Sequence, residues 1–463
     1  MHKGEHVHFV GIGGYGMSAI ARVLLEMGHR VTGSDVAVNK LTESLEVRGA
    51  EIHLGHDASL IDGADRVVYS SSIPKGNVEL KAAEAQGIPV LHRSQMLAAL
   101  LNDKKGIAVA GAHGKTTTSS MIAQTLEENE ADPTYVIGGE VVGLGSNAKA
   151  GQSEYVVAEA DESDGTFLEY YPHIAIVTNI EPDHLENYDG DFENLKKAYQ
   201  QFLRQVKKDG VAVLGWDDGY LREIAGESDA QVITYALDRP ADYTAVDIRQ
   251  RFNETRFTVK RGEEILGDVM IQVPGRHNVA NALATVVACL EAGLSFEQIV
   301  EGLARFQGAK RRFQVIGEAD DILVVDDYAH HPTEIRTTIN GLKAMERRIV
   351  AVFQPQRYSR THLLMEEFSR AFGEADQLVI TSIYSPPGEA PIEGVTSERL
   401  VEMVKVNSNP HTVFRNTKED VEAYLIEQVR PGDLVITMGA GDIWRVAHNL
   451  VPILEKRKEQ ARQ

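Results

Sequence analysis

The sequence predicts an α/β protein of three successive domains, and three observations support this fold class. Its length of 463 residues is about three times the roughly 150 residues expected of one domain. Short apolar runs alternate with amphipathic helical patterns over most of the chain, which is typical of parallel βαβ units. This alternation restarts twice, after a polar stretch and after a basic cluster, and we place the domain boundaries there.

The first predicted domain covers residues 1–101. Its predicted strands and helices follow one another as HVHFVGIGG, MSAIARVLLEMG, HRVTGSD and DRVVYSS, and it ends in a helix from Ser94 to Leu101. The polar residues 102–105 precede a new strand, Ile107 to Ala110, which runs into a glycine loop and another helix. A second fold therefore starts at this point.

The second predicted domain covers residues 102–311 and the third covers 312–463. In the second, the runs EYVVAEA, HIAIVTNI and GVAVLGW precede a β-rich stretch, 231–273, and a helix from His277 to Ala292. In the third, the alternation resumes with DILVVDD, RRIVAVF, DQLVITS and DLVITMG. The tail EKRKEQARQ is interpreted as a solvated helix end.

Composition excludes several classes of protein. A formal net charge of −21 repels phosphate backbones and anionic lipid, so we expect no nucleic-acid or membrane partner. No apolar run approaches the roughly 18 residues of a membrane span, and the N-terminus lacks a leader pattern, which predicts a cytoplasmic location. The single cysteine, Cys289, lies in an apolar helical pattern and is interpreted as a buried structural thiol.

Two glycine-rich loops each follow a predicted strand and open a helix, the setting in which backbone N–H groups hold phosphates. The first contains Gly11, Gly13, Gly14 and Gly16, and Asp35 follows the next strand, where it can bind a ribose hydroxyl. Taken alone, this loop fits a nicotinamide-dependent dehydrogenase as well as any other nucleotide-binding protein. A purely structural turn is the other interpretation.

The second loop, from Gly111 to Thr118, is the more specific of the two. The ammonium of Lys115, a row of N–H donors and the hydroxyl of Thr116 are the groups that a triphosphate and its Mg²⁺ require. Val109 stands where the usual pattern has its first glycine, so this loop is shorter than the generic motif. Two phosphate loops indicate two nucleotides, and a dehydrogenase has no obvious use for the second.

Polar side chains follow two further strands of the second domain. Glu159 ends one apolar run and opens the acidic stretch 159–164, and His184 follows HIAIVTNI. At the carboxyl edge of a sheet, both side chains are placed to hold Mg²⁺. The alternative is a solvated turn without a metal ion.

Loops of the third domain carry the remaining candidates. Residues 326–332 and 354–360 follow strands, so they lie where open α/β sheets bind ligands. Arg357 and Arg360 can converge on one carboxylate or phosphate, or they can form surface ion pairs. The glycine turn 439–442 is interpreted as structural.

Eight motifs extend, in order, across nearly the whole chain: GIGGYGMSAIA, GAHGKTTTSS, AEADESDGTF, TNIEPDHLENY, GRHNVANALA, GAKRRF, DDYAHHPTEI and QPQRYSRT. Together they resemble the Mur ligase family of ATP-dependent amide-bond-forming enzymes. The resemblance implies an N-terminal Rossmann-like domain for UDP, a central P-loop ATPase sheet and a C-terminal Rossmann-like domain for an amino acid. It also implies the reaction: ATP-driven joining of L-alanine to the lactyl carboxylate of UDP-N-acetylmuramate through an acyl phosphate, in peptidoglycan precursor synthesis.

The resemblance further implies roles for individual residues. The residues implied as catalytic are Lys115, Glu159, His184, His330, Arg357 and Arg360. Those implied for ATP are Gly111, His113, Gly114, Lys115, Thr116, Thr117, Asn278, Asn281 and Arg311. Those implied for the sugar nucleotide and the amino acid are Gly11, Gly13, Gly14, Gly16, Asp35, Ser70, Tyr328, His330, Arg357 and Arg360. Of two implied Mg²⁺ ions, which Mn²⁺ can replace, one falls to Thr116 and Glu159 and the other to His184.

Three alternatives stay open at this point. A sibling ligase would add a tripeptide, serine or glycine to the same sugar nucleotide. A nicotinamide-dependent oxidoreductase would use the first glycine loop, and an ATP-driven switch would hydrolyse ATP without forming an amide. We expect a monomer or a weak homodimer. Ala112 and Gln356 depart from the family pattern and receive no chemical role.

Overall fold

The computed structural model describes residues 4–163, 165–251, 254–385 and 389–460. Asp164 of the acidic stretch and the last three residues of the predicted C-terminal helix lie outside the described residues. The described chain forms three helix-flanked sheets, so the predicted α/β fold class with three domains is confirmed. Two compact units result: the first carries the first sheet and most of the second, and the second unit carries the third sheet.

The first sheet has five parallel strands in the order β3-β2-β1-β4-β5. The strands are β1 (His6–Val10), β2 (Arg30–Asp35), β3 (Glu51–Leu54), β4 (Arg66–Tyr69) and β5 (Val90–His92). The helices are α1 (Tyr15–Glu26), α2 (Lys40–Val47), α3 (Val78–Gln86) and α4 (Arg93–Leu101). Val10 pairs with Ser34 and Tyr69, so the first glycine loop, Asp35 at the end of β2 and Ser70 after β4 lie at one edge of the sheet.

The second sheet has ten strands in the order β15-β14-β13-β12-β11-β10-β6-β9-β7-β8. The strands are β6 (Lys105–Ala110), β7 (Thr134–Val141), β8 (Ser146–Lys149), β9 (Tyr155–Glu159), β10 (Ile174–Val177), β11 (Val211–Gly215), β12 (Gln231–Ala236), β13 (Tyr243–Arg251), β14 (Glu254–Arg261) and β15 (Glu264–Ile271). The helices are α5 (Lys115–Glu128), α6 (Phe192–Arg204), α7 (Gly219–Ile224), α8 (Arg276–Glu291) and α9 (Phe296–Ala304).

The strand order of the second sheet decides which loops meet. β6 lies between β9 and β10 and is parallel to both, with Val109 opposite Glu159 and Ala110 opposite Val177. The second glycine loop is therefore flanked by Glu159 on one side and by the loop that contains His184 on the other.

The third sheet has six strands in the order β16-β17-β21-β18-β19-β20, with only β16 antiparallel to its neighbour among the described pairs. The strands are β16 (Gln314–Ala319), β17 (Ile322–Asp327), β18 (Arg348–Phe353), β19 (Gln377–Ile380), β20 (Thr412–Phe414) and β21 (Asp433–Met438). The helices are α10 (Pro332–Leu342), α11 (Tyr358–Leu363), α12 (Met365–Ser369), α13 (Ser397–Asn407), α14 (Lys418–Gln428) and α15 (Trp444–Gln460).

Buried apolar residues cover the faces of the sheets. Cys289 is fully buried on α8 with its thiol free, as predicted, and burial raises the pKa of that thiol. Within the described ranges, no helix combines the length and apolar character needed to cross a membrane.

A buried polar network crosses the first sheet. The Glu79 carboxylate, fully buried, lies 2.9 Å from His8 Nε2 and 2.9 Å from His56 Nδ1, and it accepts a hydrogen bond of 2.8 Å from Ser34 Oγ. Burial alone would raise the pKa of Glu79, but the hydrogen bonds from these three side chains outweigh burial and hold the pKa below its ordinary value.

We predict that Glu79→Gln lowers the free energy of unfolding by about 1–3 kcal/mol, because buried partners lose a charged acceptor. A depressed carboxyl pKa contributes stability above its ordinary value of 4.5, and this contribution is lost as pH falls through the folded-state pKa. Denaturant unfolding at pH 7 and pH 4 measures both effects. The difference between wild type and variant should shrink at the lower pH; an equal difference at both would contradict the assignment.

Candidate functional site

The first glycine loop is shaped by the last two residues of β2, Ser34 and Asp35. The N–H groups of Gly11 and Ile12 donate to the Ser34 carbonyl at 2.8 and 3.0 Å, and Gly13 N–H donates to Asp35 Oδ2 at 2.8 Å. A Cβ added at Gly13 would lie 2.9 Å from the same carboxylate oxygen, so this close approach requires glycine. Asp35 therefore supports the loop itself, and its contact with a ribose stays a prediction, as does the role of Ser70.

The second glycine loop connects β6 to α5 in a conformation that only glycine adopts without strain. Gly111 has φ of +129°, and a Cβ there would lie 2.1 Å from Thr178 Oγ1. Gly114 has φ of +90°, and a Cβ there would lie 2.6 Å from Asn281 Oδ1. The loop is thus pressed between the segment after β10 and helix α8.

Two residues that sequence analysis missed, Thr178 and Asn179, hold this loop in place. Ala112 N–H donates to the Asn179 carbonyl at 3.0 Å, and His113 N–H donates to Asn179 Oδ1 at 2.9 Å. Thr178 Oγ1 donates to the His113 carbonyl at 2.5 Å. The His113 backbone is therefore engaged within the protein. The first-turn N–H groups of α5, from Lys115 to Thr117, have no acceptor within the helix and are the natural phosphate donors.

Lys115 begins α5 and points back along the loop. Its Nζ donates to the carbonyl of Gly111 at 2.6 Å and to Glu162 Oε1 at 2.8 Å. Burial alone would lower the pKa of Lys115, but the charges of Glu162, Asp161 and Glu159 outweigh burial and raise the pKa. The ammonium therefore stays charged. The role of Glu162 carried no signal in the sequence beyond its place in the acidic stretch.

Glu159 and Thr116 are brought together as predicted. Glu159 Oε2 accepts a hydrogen bond from Thr116 Oγ1 at 3.2 Å, and Oε1 accepts one from Gly138 N–H at 2.6 Å. Ser119 Oγ donates to Oε1 at 3.3 Å. A Cβ at Gly138 would lie 2.7 Å from Oε2, so the β7 backbone needs a glycine to approach the carboxylate this closely. A carboxylate and a hydroxyl at the phosphate loop are a donor set that fits Mg²⁺.

His184 lies in the loop after β10 with φ of +54°, a conformation that is uncommon for residues other than glycine. Its Nε2 lies 3.5 Å from Asp183 Oδ2. The imidazole and this neighbouring carboxylate are chemically suited to a divalent cation. The second magnesium at His184 stays a prediction.

Helices that flank the first sheet contribute residues to the central site within the same compact unit. Arg93, which begins α4, pairs with Asp161 Oδ2 at 3.2 Å, and its Nη1 would lie 3.2 Å from a Cβ added at Gly16. The Tyr15 hydroxyl accepts a hydrogen bond from Glu140 N–H, and burial followed by the charges of Glu140 and Glu159 raises its pKa to about 12. These contacts carry no signal in the sequence because they join segments far apart in the chain.

Asn278 and Asn281 are buried side by side on α8, where Asn281 Nδ2 donates to Asn278 Oδ1 at 3.2 Å. Asn281 lies against Gly114 of the phosphate loop, and Asn278 lies next to Asn281. Their contact with adenine stays a prediction.

Arg311, which lies in the second compact unit, has its guanidinium engaged by other residues of that unit. Nε donates to Asp326 Oδ2 at 3.0 Å, and the terminal nitrogens donate to the carbonyls of Gly439 at 2.6 Å and Gly441 at 3.1 Å. Arg311 thus holds the glycine turn 439–442 against β17. The predicted contact of Arg311 with ATP stays a prediction.

Tyr328 and His330 lie together after β17. Their rings meet edge to face with centroids 5.3 Å apart, and His330 Nδ1 lies 3.4 Å from Glu334 Oε2. The guanidinium of Arg312 stacks 5.1 Å from the Tyr328 ring centre. Burial raises the pKa of nearby Asp327 to about 6, and Arg312 opposes that shift.

Arg357 and Arg360 follow β18. Arg357 has φ of +70° and its N–H donates to the Tyr384 carbonyl at 2.9 Å. Arg360 Nη1 donates to Gln356 Oε1 at 2.6 Å. Burial alone would raise the pKa of Glu389. Hydrogen bonds from Ser359 and the charge of Arg357 outweigh burial and lower the pKa below its ordinary value. Convergence of the two arginines on one carboxylate stays a prediction.

These features define a class of protein: an α/β nucleotide-dependent enzyme with a phosphate loop and carboxylates at the edge of a mostly parallel sheet. Three family models match the chain, described as the Mur ligase family catalytic domain over residues 6–105, the Mur ligase middle domain over 109–289 and the Mur ligase glutamate ligase domain over 311–441. The chain therefore belongs to the Mur ligase family, whose members are ATP-dependent amide-bond-forming ligases.

Relatives extend over the whole chain. A UDP-N-acetylmuramate–L-alanine ligase from Symbiobacterium thermophilum is 50% identical over 99% of this chain and 96% of its own. The enzyme of the same name from Pelotomaculum thermopropionicum is 47% identical over 99% and 100%. The crystal structure of the Thermotoga maritima UDP-N-acetylmuramate-alanine ligase has a TM-score of 0.80 at 28% identity and covers 98% of this chain and 100% of that one.

We predict that Gly111→Ala weakens ATP binding on the order of tenfold or more, because its Cβ would collide with Thr178 and strain the loop. Titration calorimetry with ATP measures the change. Gly226→Ala is the matched control. Because Gly226 has open space around it, this variant should bind ATP like wild type. Wild-type affinity in Gly111→Ala would contradict the loop geometry.

Proposed function

We propose that this protein joins L-alanine to the lactyl carboxylate of UDP-N-acetylmuramate, with cleavage of ATP to ADP and phosphate, in peptidoglycan precursor synthesis. The observation that carries the proposal is the arrangement of Lys115, Thr116 and Glu159 around the second glycine loop. Full-length identity of 47–50% to ligases of that name supports the choice of substrates. The nicotinamide alternative leaves this second loop without a use.

The chemical difficulty of the first step is the approach of two anions. The lactyl carboxylate attacks the γ-phosphate, and each pair of unit charges at about 4 Å costs roughly 4 kcal/mol at an effective dielectric near 20. That energy corresponds to about a thousandfold in rate. The charged Lys115 and the N–H groups at the start of α5 offset this repulsion and hold the phosphates in line.

Thr116 and Glu159 would hold one magnesium ion, and His184 would be a ligand of a second. Mn²⁺ would be able to replace Mg²⁺ at both sites. When bound, the ion supplies positive charge that stabilises the phosphates. Gly138 and Ser119 orient the Glu159 carboxylate toward Thr116 by donating to its other oxygen. Asn278 and Asn281 would contact adenine beside Gly114.

In the second step, the neutral amine of L-alanine attacks the carbonyl carbon of the acyl phosphate, and the tetrahedral intermediate releases phosphate while the nitrogen loses one proton. Arg357 and Arg360 would bind the L-alanine carboxylate, and His330 and Tyr328 would line the amino-acid site. Arg311 would approach the phosphates. A bidentate arginine contact suits a planar carboxylate, which favours amino acids as ligands of this domain.

The proposed division of the chain is residues 1–101 for the UDP portion, 102–311 for ATP and 312–463 for the amino acid. Gly11, Gly13, Gly14 and Gly16 would bind the diphosphate, with Asp35 and Ser70 beside it. A monomer or weak homodimer and a cytoplasmic location stay predictions from the sequence.

Phosphate release from ATP tests the function directly. Purified protein with Mg²⁺ and UDP-N-acetylmuramate should release phosphate rapidly only when L-alanine is present, and the product should gain the mass of one alanyl group. Serine, glycine and a tripeptide are assayed in parallel as amines. Faster reaction with one of those, or phosphate release without amide, would replace the proposal with the sibling ligase or the ATP-driven switch.

We predict that Lys115→Ala and Glu159→Ala each lower the turnover number by at least about a thousandfold, because each removes charge or charge positioning from the transition state. Circular dichroism should show an intact fold. Lys207→Ala, a lysine elsewhere on the same domain, should retain wild-type turnover. Normal turnover in either site variant would refute the site.

We predict that Arg357→Ala raises KM for L-alanine by about ten- to a hundredfold while KM for ATP changes less than about threefold, because one charged hydrogen-bond donor to the carboxylate is lost. Steady-state kinetics with each substrate varied in turn measures the split. Arg370→Ala, which removes a surface arginine paired with Glu366, is the control. Equal increases in both KM values would argue against a role in amino-acid binding.

A further inference from the structure

The ammonium of Lys115 has an internal partner that competes with phosphate. It donates to Glu162 Oε1 at 2.8 Å and to the carbonyls of Gly111 and Ala112 at 2.6 and 3.3 Å. The Glu162 side chain is only 3% exposed, so this ion pair is screened little by solvent. The ammonium has three N–H donors and these three acceptors engage all of them, so Lys115 must release at least one acceptor to bind the phosphates of ATP. Glu162 is the partner that negatively charged phosphates would displace, because two anions on one ammonium repel each other.

The backbone of Glu162 is held in place by a neighbouring tyrosine. Tyr188 donates its hydroxyl hydrogen bond to the Glu162 backbone carbonyl. The second carboxylate oxygen, Oε2, is buried and accepts no hydrogen bond from the described residues. Departure of Lys115 would leave a buried carboxylate without a cation, a state that costs free energy unless another donor replaces the ammonium.

Tyr199 carries a buried hydroxyl that has no hydrogen-bond acceptor among the described residues. It lies on α6, is fully buried, and packs edge to face on Phe167 with ring centroids 5.3 Å apart. After burial, the charge that acts most strongly on this hydroxyl is that of Glu162, and together they raise the pKa of Tyr199, so the phenol remains protonated.

We propose that Glu162 is the counter-ion that holds Lys115 before ATP binds, and that the Tyr199 hydroxyl replaces the ammonium on Glu162 when Lys115 engages the phosphates. Both are positioning residues that act through Lys115 and touch no substrate. The inference rests on the proposed function only in taking ATP as the ligand of the second glycine loop. It adds two residues, Glu162 and Tyr199, that change the affinity for ATP without contacting ATP.

Binding of ATP in the presence of Mg²⁺, measured by titration calorimetry on the full chain, tests the proposal. Tyr199→Phe should weaken ATP binding by about five- to tenfold, because Glu162 loses its replacement donor. Tyr235→Phe, a buried tyrosine on β12 of the same sheet, is the matched control and should bind like wild type. Glu162→Gln should tighten ATP binding, since it removes both a competing partner and a negative charge near the phosphates.

A double-mutant cycle separates this role from simple packing. In the Glu162→Gln background, adding Tyr199→Phe should change the dissociation constant by less than about twofold, because the tyrosine acts through the carboxylate. An equal effect of Tyr199→Phe in both backgrounds, or weaker binding by Glu162→Gln alone, would overturn the proposal. Thermal unfolding of each variant verifies the fold, and Tyr199→Phe alone still tests the idea if Glu162→Gln does not fold.

The two proposals fail in different ways. A wild-type protein that binds ATP with the predicted pattern of variants but forms no amide refutes the proposed function and leaves this inference standing. A wild type that forms the amide while Tyr199→Phe and Tyr235→Phe bind ATP alike refutes this inference alone.

Discussion

The ion pair between Lys115 and Glu162 is the interaction on which the central site depends. A buried ammonium requires nearby negative charge, and the acidic stretch after β9 supplies it through Glu162, Asp161 and Glu159. Those carboxylates in turn need positive charge, which Lys115 and Arg93 provide. Lys115 and Arg93 are therefore each paired with a carboxylate before any ligand arrives, and an incoming triphosphate must compete with Glu162 for Lys115.

The order of the parallel strands brings these charged groups together at one edge of the second sheet. Loops that follow neighbouring parallel strands leave the sheet at the same edge, so segments distant in the chain become neighbours. In the second sheet this brings the glycine loop after β6 between Glu159 and the segment that begins at Thr178. The same rule places the loops after β17, β18 and β21 together in the third sheet, where Arg311 ties two of them.

Sequence patterns identified the strands that are buried on both faces, because these form continuous apolar runs. Apart from β7, the strands that escaped prediction are β3, β5, β8, β16 and β20, and all five are edge strands. An edge strand is half exposed and short, so its sequence, such as SNAK in β8, carries little apolar signal. The antiparallel pairing of β16 likewise depends on contact with β17 and not on any local pattern.

The sequence by itself determined the fold class, the positions of the glycine loops, and the residue types whose chemistry is local: Lys115, Thr116 and Glu159. These are readable because glycine conformations, helix starts and strand ends depend on neighbours in the chain. Only the tertiary structure decided that Thr178 and Asn179 brace the loop, that Gly138 orients Glu159, and that Glu162 holds Lys115. Those contacts join segments tens of residues apart, and their energies come from burial and distance, which exist only after the chain has folded.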